Sequence, residues 1–134
     1  MKRFMLHAKI HRCVTTGANL DYVGSITIDP ELLRQADIRP HERVQVVNLN
    51  NGERFETYAI EGEPGSGTVE VNGAAARLCL RGDLLIIMTF VELEESELAS
   101  HKPTVVFVDE ENRVQATLPM SAKGYPLPAS AARF

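Results

Sequence analysis

Two stretches, Gly24-Ser25-Ile26-Thr27-Ile28-Asp29-Pro30-Glu31-Leu32-Leu33 and, after a polar turn, Glu42-Arg43-Val44-Gln45-Val46-Val47-Asn48, decide the reading of the fold. Ser25 to Ile28 alternates polar and apolar residues, the period of a short strand with one buried face. Asp29-Pro30-Glu31 is a helix start: a capping Asp, a proline where its missing N–H is harmless, and an acid in the first turn. A helix is predicted over Pro30 to Ala36, burying Leu32, Leu33 and Ala36, and Pro40 helps end that region. Arg43 to Asn48, with Val44, Val46 and Val47, is the next strand.

The same order recurs downstream. Gly67-Thr68-Val69-Glu70-Val71-Asn72 alternates as a strand, Gly73 to Leu80 allows a short helix around Ala74-Ala75-Ala76, and Gly82-Asp83-Leu84-Leu85-Ile86-Ile87 opens another strand. Both units run strand, helix, polar turn, strand. Two such halves packed about a pseudo-twofold axis make a small closed barrel, with chance alternation of strands and helices as the competing explanation.

Working outward, Met5 to Val14 reads as a first strand and Thr15-Thr16-Gly17-Ala18-Asn19 as a loop or turn. Asn51-Gly52 signals a hairpin whose return strand is Glu53 to Ile60. Gly62 to Gly67 is a loop. Asp83 to Val91, carrying Leu84 to Met88, is predicted to be a strand buried on both faces. Thr104 to Val108 and Arg113-Val114 form a last hairpin around Glu110-Glu111-Asn112. The single domain is expected over residues 1–115. Residues 116–134, with Pro119, Pro126, Pro128 and several Ala and Ser, read as a disordered tail.

Composition narrows the classes. The chain has 134 residues, 44% hydrophobic and 24% charged, with a formal net charge of −4. That is ordinary globular composition, and the acidity argues against a broad grip on nucleic acid. Cys13 and Cys79 form no close-spaced metal motif and read as buried or semi-buried free thiols. The basic start is not followed by an apolar run of signal-peptide length, and no stretch is long and apolar enough to span a bilayer. The expected location is the cytoplasm, with no membrane partner.

Conventional catalytic sets are absent from the sequence pattern. His7 and His11 have helical spacing inside a strand-like segment with no third ligand nearby, so no metal is expected. There is no Gly-rich phosphate loop or nucleophile elbow. Tyr22-Val23-Gly24-Ser25 and Asn72-Gly73-Ala74-Ala75 stand out, although Gly24-Ser25 alone reads as a turn entering a strand and Asn72-Gly73 as a turn with positive φ.

In combination these motifs resemble the pyruvoyl-dependent aspartate 1-decarboxylase family. The matching residues are Lys9, His11 and Arg12, then Tyr22 and Gly24-Ser25, Asn51-Gly52, Arg54 and Thr57-Tyr58-Ala59-Ile60. Asn72-Gly73-Ala74-Ala75-Ala76, Gly82-Asp83 and Ile86-Ile87 follow, so that the resemblance spans roughly Met1 to Asn112. It implies a mainly β fold, a double-psi β-barrel with short helices, and a homotetramer with active sites between subunits. It implies a proenzyme that cuts itself between Gly24 and Ser25 into 1–24 and 25–134, leaving a covalent pyruvoyl group derived from Ser25. The mature enzyme would bind L-aspartate through a Schiff base and release β-alanine and CO2, in pantothenate and coenzyme A biosynthesis.

Residue roles follow from the same resemblance. Gly24, Ser25, Thr57 and Asn72 belong to self-processing, with Thr57 polarising the Gly24 carbonyl. Tyr58 is the catalytic acid that reprotonates carbon. Lys9, Arg54, Thr57, Gly73, Ala74 and Ala75 bind substrate, Arg54 as a bidentate fork for a carboxylate. Without the resemblance, Arg54 reads as a solvated hairpin residue, Tyr58 as a half-buried strand aromatic and Lys9 as a surface cation. A rival from another class is a swapped-hairpin DNA-binding regulator, which Ser25 to Leu33 and Arg43 to Val46 also resemble, but over one strand–helix–strand unit only.

Overall fold

A computed structural model describes residues 1–124. Nine strands run in chain order: β1 (Lys2–Val14), β2 (Gly17–Asn19), β3 (Ser25–Ile28), β4 (Arg43–Asn48), β5 (Arg54–Glu61), β6 (Val69–Asn72), β7 (Leu84–Glu94), β8 (Thr104–Val108) and β9 (Val114–Pro119). Helix α1 (Pro30–Ala36) lies between β3 and β4, a 3₁₀ segment (Gly73–Leu78) lies between β6 and β7, and α2 (Glu95–Leu98) follows β7. The strands share one sheet in the order β2-β6-β3-β5-β4-β7-β1-β8-β9. Since β1 runs through Thr15-Thr16 into β2, the two arms of that sheet are one ribbon and the barrel closes. The fold is a double-psi β-barrel, to which β8 and β9 add an edge alongside β1.

The pseudo-twofold is visible in the register. β3 and β6 pair antiparallel with Ser25 opposite Asn72 and Ile28 opposite Val69, a pairing that reads the same from either strand. β4 and β7 pair likewise, Val46 opposite Ile87 and Val47 opposite Ile86. β5 runs parallel to β3 and antiparallel to β4. The β1–β2 ribbon repeats this, with β2 parallel to β6 and β1 antiparallel to β7. The strand–helix–strand unit β3-α1-β4 therefore has its edges taken within its own chain, which leaves no open hairpin for swapping.

The core follows from the alternation. Ile26 and Ile28 of β3, Val69 and Val71 of β6, Val44 and Val46 of β4, and Leu85 and Ile87 of β7 all point inward and are fully or almost fully buried. Leu32, Leu33 and Ala36 of α1 close one end. β7 departs from the expected continuous burial: Leu85, Ile87 and Thr89 are buried, while Leu84, Ile86 and Met88 are half-buried. Among the described residues no layer covers its outer face, so this antiparallel strand alternates.

Three elements differ from expectation. Gly17–Asn19, expected as a loop, is a short strand held by parallel pairing to β6, a tertiary effect with no local signal. α2 has no counterpart in the expected elements. β9 continues through Pro119, past the expected boundary at residue 115, because Ala116, Thr117 and Leu118 pair with β8. The rest of the expected tail from residue 125 lies outside the described residues.

Two side chains clasp the long connections. Asp29 caps α1 by accepting from Glu31 N (2.9 Å), and it also accepts from Gly65 N (3.1 Å) and Gly67 N (2.8 Å). Asn112 donates to the carbonyls of Val14 (2.9 Å) and Gly67 (2.8 Å) and accepts from Val14 N. Gly67 has φ +70°, and a Cβ there would stand 2.4 Å from the Glu111 carbonyl oxygen, so no larger residue fits. Burial alone would raise the Asp29 carboxyl, but the amides of Glu31, Gly67 and Gly65 and the charge of Arg113 outweigh it and hold the carboxyl below its ordinary value.

A depressed folded-state pKa stabilises the native state above the unfolded value, near ~3.9, and that stabilisation is lost as pH falls through the folded value. Asp29→Asn is expected to flatten the acid limb of melting temperature against pH. Asp29→Ala, which leaves buried amides unpaired, is expected to cost about 1–3 kcal/mol in urea unfolding at neutral pH. An unchanged acid limb in Asp29→Asn would mean that another carboxylate governs it.

Candidate active site

The antiparallel register of β3 and β6 sets Ser25 directly across from Asn72. Both are buried, at 1% exposure each, which is unusual for polar residues and so demands partners. Asn72 Nδ2 donates to Ser25 Oγ at 3.0 Å and to Thr27 Oγ1 at 2.9 Å. Ser25 Oγ in turn donates to the Val23 carbonyl at 3.2 Å. Asn72 Oδ1 is buried with no hydrogen-bond partner among the described residues. An orphaned buried acceptor costs about 1–3 kcal/mol, so this one calls for an explanation.

Asn72 also stands at the N-cap of the 3₁₀ segment, but its side chain makes no capping bond. The residue at the same place in the other half is Asp29, whose side chain does cap its helix. The two halves therefore put an equivalent position to different uses.

Gly73 brings a second chain segment onto Ser25's neighbour. It has φ +74°, and a Cβ built there would stand 2.6 Å from Gly24 Cα and 2.9 Å from Gly24 N. Only glycine meets both demands, the left-handed backbone and the contact. Gly24 itself has nothing within 4 Å of a built Cβ, so its own side is open. Tyr22 and Val23, leading into it, are exposed. The peptide between Gly24 and Ser25 thus runs from an exposed loop into a buried strand, held on one side by the Gly73 backbone.

β5 carries the next group. Arg54, Glu56 and Tyr58 are exposed and alternate with Phe55, Thr57 and Ala59, which face the interior. The parallel register of Ile26 opposite Ala59 stops one residue short of Ser25 and Tyr58. Extended by that residue, it sets Tyr58 beside Ser25 on the face away from the core, one strand spacing of about 4.8 Å away. The Tyr58 ring meets His41 edge to face, with centroids 6.4 Å apart. Arg54 has no ion-pair partner among the described residues. Thr57 lies at the level of Gly24 along β5 but on the opposite face from Tyr58, and no hydrogen bond joins its side chain to Gly24.

Lys9 is farther off. It lies in β1 opposite Met88 of β7, and β7 and β4 separate β1 from β5. Followed around the barrel wall, that is three strand spacings, roughly 14 Å, and the straight line is shorter. A single chain therefore gathers Gly24, Ser25, Asn72 and Gly73, places Tyr58 and Arg54 along one adjoining strand, and leaves Lys9 across the sheet. Ala74 is exposed and Ala75 half-buried on the 3₁₀ segment beside Gly73. Thr27, not singled out from the sequence and half-buried, joins Ser25 and Asn72; its signal was the two-residue period, which puts it on Ser25's face of β3.

The remaining reactive residues lie elsewhere. Burial pushes the Cys13 thiol up to about 12 and the Cys79 thiol up to about 11, so both stay protonated and inert at neutral pH. His7 pairs with Asp37 at 3.0 Å and His11 packs on Phe107, so neither belongs to the Ser25 cluster. Among the described residues no three His, Cys, Asp or Glu side chains are grouped to hold a metal, and no helix is long and apolar enough to cross a membrane.

The profile of the aspartate decarboxylase family matches residues 1–115. The aspartate 1-decarboxylase of Thermoanaerobacter pseudethanolicus is 58% identical over 113 residues, which cover 84% of this chain and 97% of that protein. That of Neisseria meningitidis is 57% identical, covering 86% and 91%. That of Myxococcus xanthus is 55% identical, covering 96% of each.

Gly73→Ala tests the close approach. In an uncut Ser25→Ala chain it is expected to cost about 1–3 kcal/mol from the left-handed backbone alone, and to speed amide exchange at positions 24 and 25 because the added methyl displaces that segment. Unchanged exchange there would show that the loop absorbs a Cβ without moving.

Proposed function

The chain belongs to the aspartate decarboxylase family, and on that premise we propose that it is made as a proenzyme, cuts itself between Gly24 and Ser25, and then converts L-aspartate to β-alanine and CO2 with a pyruvoyl group derived from Ser25. The reaction would supply pantothenate and coenzyme A synthesis in the cytoplasm. The observation that carries this reading is the setting of Ser25 Oγ: buried, 3.0 Å from the Asn72 amide nitrogen and next to a glycine peptide packed under Gly73.

The chemistry of the cut uses those groups. Ser25 Oγ, its proton held towards the Val23 carbonyl, attacks the Gly24 carbonyl carbon; the C–N bond breaks, and Ser25 nitrogen takes the proton. Thr57, at the level of Gly24 on β5, is the proposed donor to that carbonyl. The product is an ester through Oγ. Loss of the Ser25 α-proton then breaks the Cβ–Oγ bond, and the Gly24 carboxylate departs with the oxygen. Asn72 Nδ2 already points at that oxygen and stabilises the charge it gains. Water hydrolyses the remaining dehydroalanine, releasing ammonia and leaving the pyruvoyl group on the new chain start.

The residues present fit such a group. Ser25 has the Asn72 amide nitrogen as a donor beside it, and a phenol, Tyr58, and a guanidinium, Arg54, stand exposed on β5. The pyruvoyl group supplies a carbonyl electron sink for the pair left behind when CO2 departs. Arg54 takes a substrate carboxylate in a bidentate grip. Tyr58 holds the proton that carbon must receive. The small residues Gly73, Ala74 and Ala75 let the substrate approach the backbone. Lys9 supplies a second positive charge, and its distance from Arg54 within one chain supports a site completed between copies of a homotetramer. The outward apolar residues Ile86, Met88, Phe4 and Phe90 support the same assembly.

Intact-mass measurement of purified protein is expected to give one fragment ending at Gly24 and one beginning at residue 25 without a free amine. Ser25→Ala is expected to stay whole and inactive; only full-length wild-type chain after prolonged warming would overturn the reading. Tyr58→Phe is expected to cut normally but to form β-alanine roughly 10²–10⁴-fold more slowly, the usual worth of one positioned acid. Near-normal turnover in that variant would remove Tyr58 from the mechanism.

A further inference from the structure

We propose that Thr27 is a positioning residue for the self-cleavage: its hydroxyl accepts from Asn72 Nδ2 and so holds the side-chain amide against Ser25 Oγ. The inference rests on the self-cleavage reading and adds to it a residue outside the expected set.

The hydrogen-bond inventory requires such a device. Ser25 Oγ has one proton, and it goes to the Val23 carbonyl. Towards Asn72 it can only accept, so the amide must present Nδ2. Nothing on Asn72 enforces that from the other end, because Oδ1 has no partner among the described residues. Nδ2 has two hydrogens; one meets Ser25 Oγ at 3.0 Å and the other meets Thr27 Oγ1 at 2.9 Å. Thr27 is therefore the second of the two contacts that fix the amide. Without it the amide is held by Ser25 Oγ alone and can swing away from that oxygen about its Cα–Cβ and Cβ–Cγ bonds.

Thr27 is itself held. It lies on the same face of β3 as Ser25 and opposite Glu70 of β6. Its methyl Cγ2 stands over Gly62, where a built Cβ would come within 3.1 Å of it. Threonine is stiff at χ1, so a methyl seated against Gly62 leaves the hydroxyl turned to Asn72. The hydroxyl supplies the bond and the methyl fixes its direction.

The consequence falls on the cut. The oxygen that accepts from Asn72 is the one that leaves with Gly24, so a mis-set amide withholds a donor from the developing carboxylate. The test is a time course of fragment appearance by intact mass in the full chain. Thr27→Val, which keeps the shape and removes the hydroxyl, is expected to slow cleavage about tenfold or more, and Thr27→Ala, which adds no bulk against Asn72, likewise. Thr27→Ser should restore the rate to within a few-fold. In an Asn72→Ala background, Thr27→Val should add no further slowing, since Thr27 acts only through Asn72. Melting temperatures of the Thr27 variants in uncut Ser25→Ala chain check that each is folded. Wild-type cleavage rates in a folded Thr27→Val or Thr27→Ala overturn the inference, as does undiminished slowing in the Asn72→Ala background. A wild-type chain that never cuts would instead sink the self-cleavage reading, and this inference with it.

Discussion

The antiparallel pairing of β3 with β6 is the constraint on which the rest of the molecule depends. Its symmetric register places the pseudo-twofold axis, and it sends Ile26, Ile28, Val69 and Val71 into the core. The same register sets Ser25 across from Asn72. A slip of one residue would turn every side chain on that strand to the other face. The core would lose its isoleucines at the same step as Ser25 lost its amide donor. Stability and chemistry are thus read from one register.

Much of this fold is legible in the sequence because its signals are local. Asp29 and Pro30 fix the start of α1, and the alternation in Ser25 to Ile28 and Arg43 to Asn48 gives strands with the observed bounds. The faint repeat of strand, helix, turn and strand corresponds to the symmetric pairing of the halves. What stays hidden is what pairing alone creates. Gly17–Asn19 is a strand only because β6 lies beside it, and β9 is extended only because β8 offers an edge. The alternation of β7 was masked by a run of uniformly apolar residues.

The grouping of Ser25 with Asn72 and Gly73 was legible by another route. Ser25 and Asn72 are remote in sequence, and no spacing rule joins them; the resemblance named both, and the register shows why they meet. Gly73 looked like a turn glycine and has the positive φ of one, but its lack of a Cβ also admits the Gly24 backbone. Thr27 escaped notice because an alternating strand always has residues at every second place, and only the Asn72 amide distinguishes this one. Lys9, Arg54 and Tyr58 were named together, yet one chain sets Arg54 and Tyr58 on β5 and Lys9 on β1.

Asp29 and Asn72 occupy matching places in the two halves, and only one of them holds its helix. A chain built from two similar units has a spare: once one unit supplies the clasp that the barrel needs, the equivalent position in the other is released from that duty. At Asn72 an amide in place of a carboxylate trades a fixed acceptor for a donor, at the expense of an uncapped helical turn and an oxygen with no partner among the described residues. The uncapped turn is only a short 3₁₀ segment, so the sacrifice falls where the architecture is least sensitive to it. Symmetry here works as redundancy, and its breaking at a single residue type separates the half whose cap mainly keeps the shape from the half whose cap position turns to Ser25.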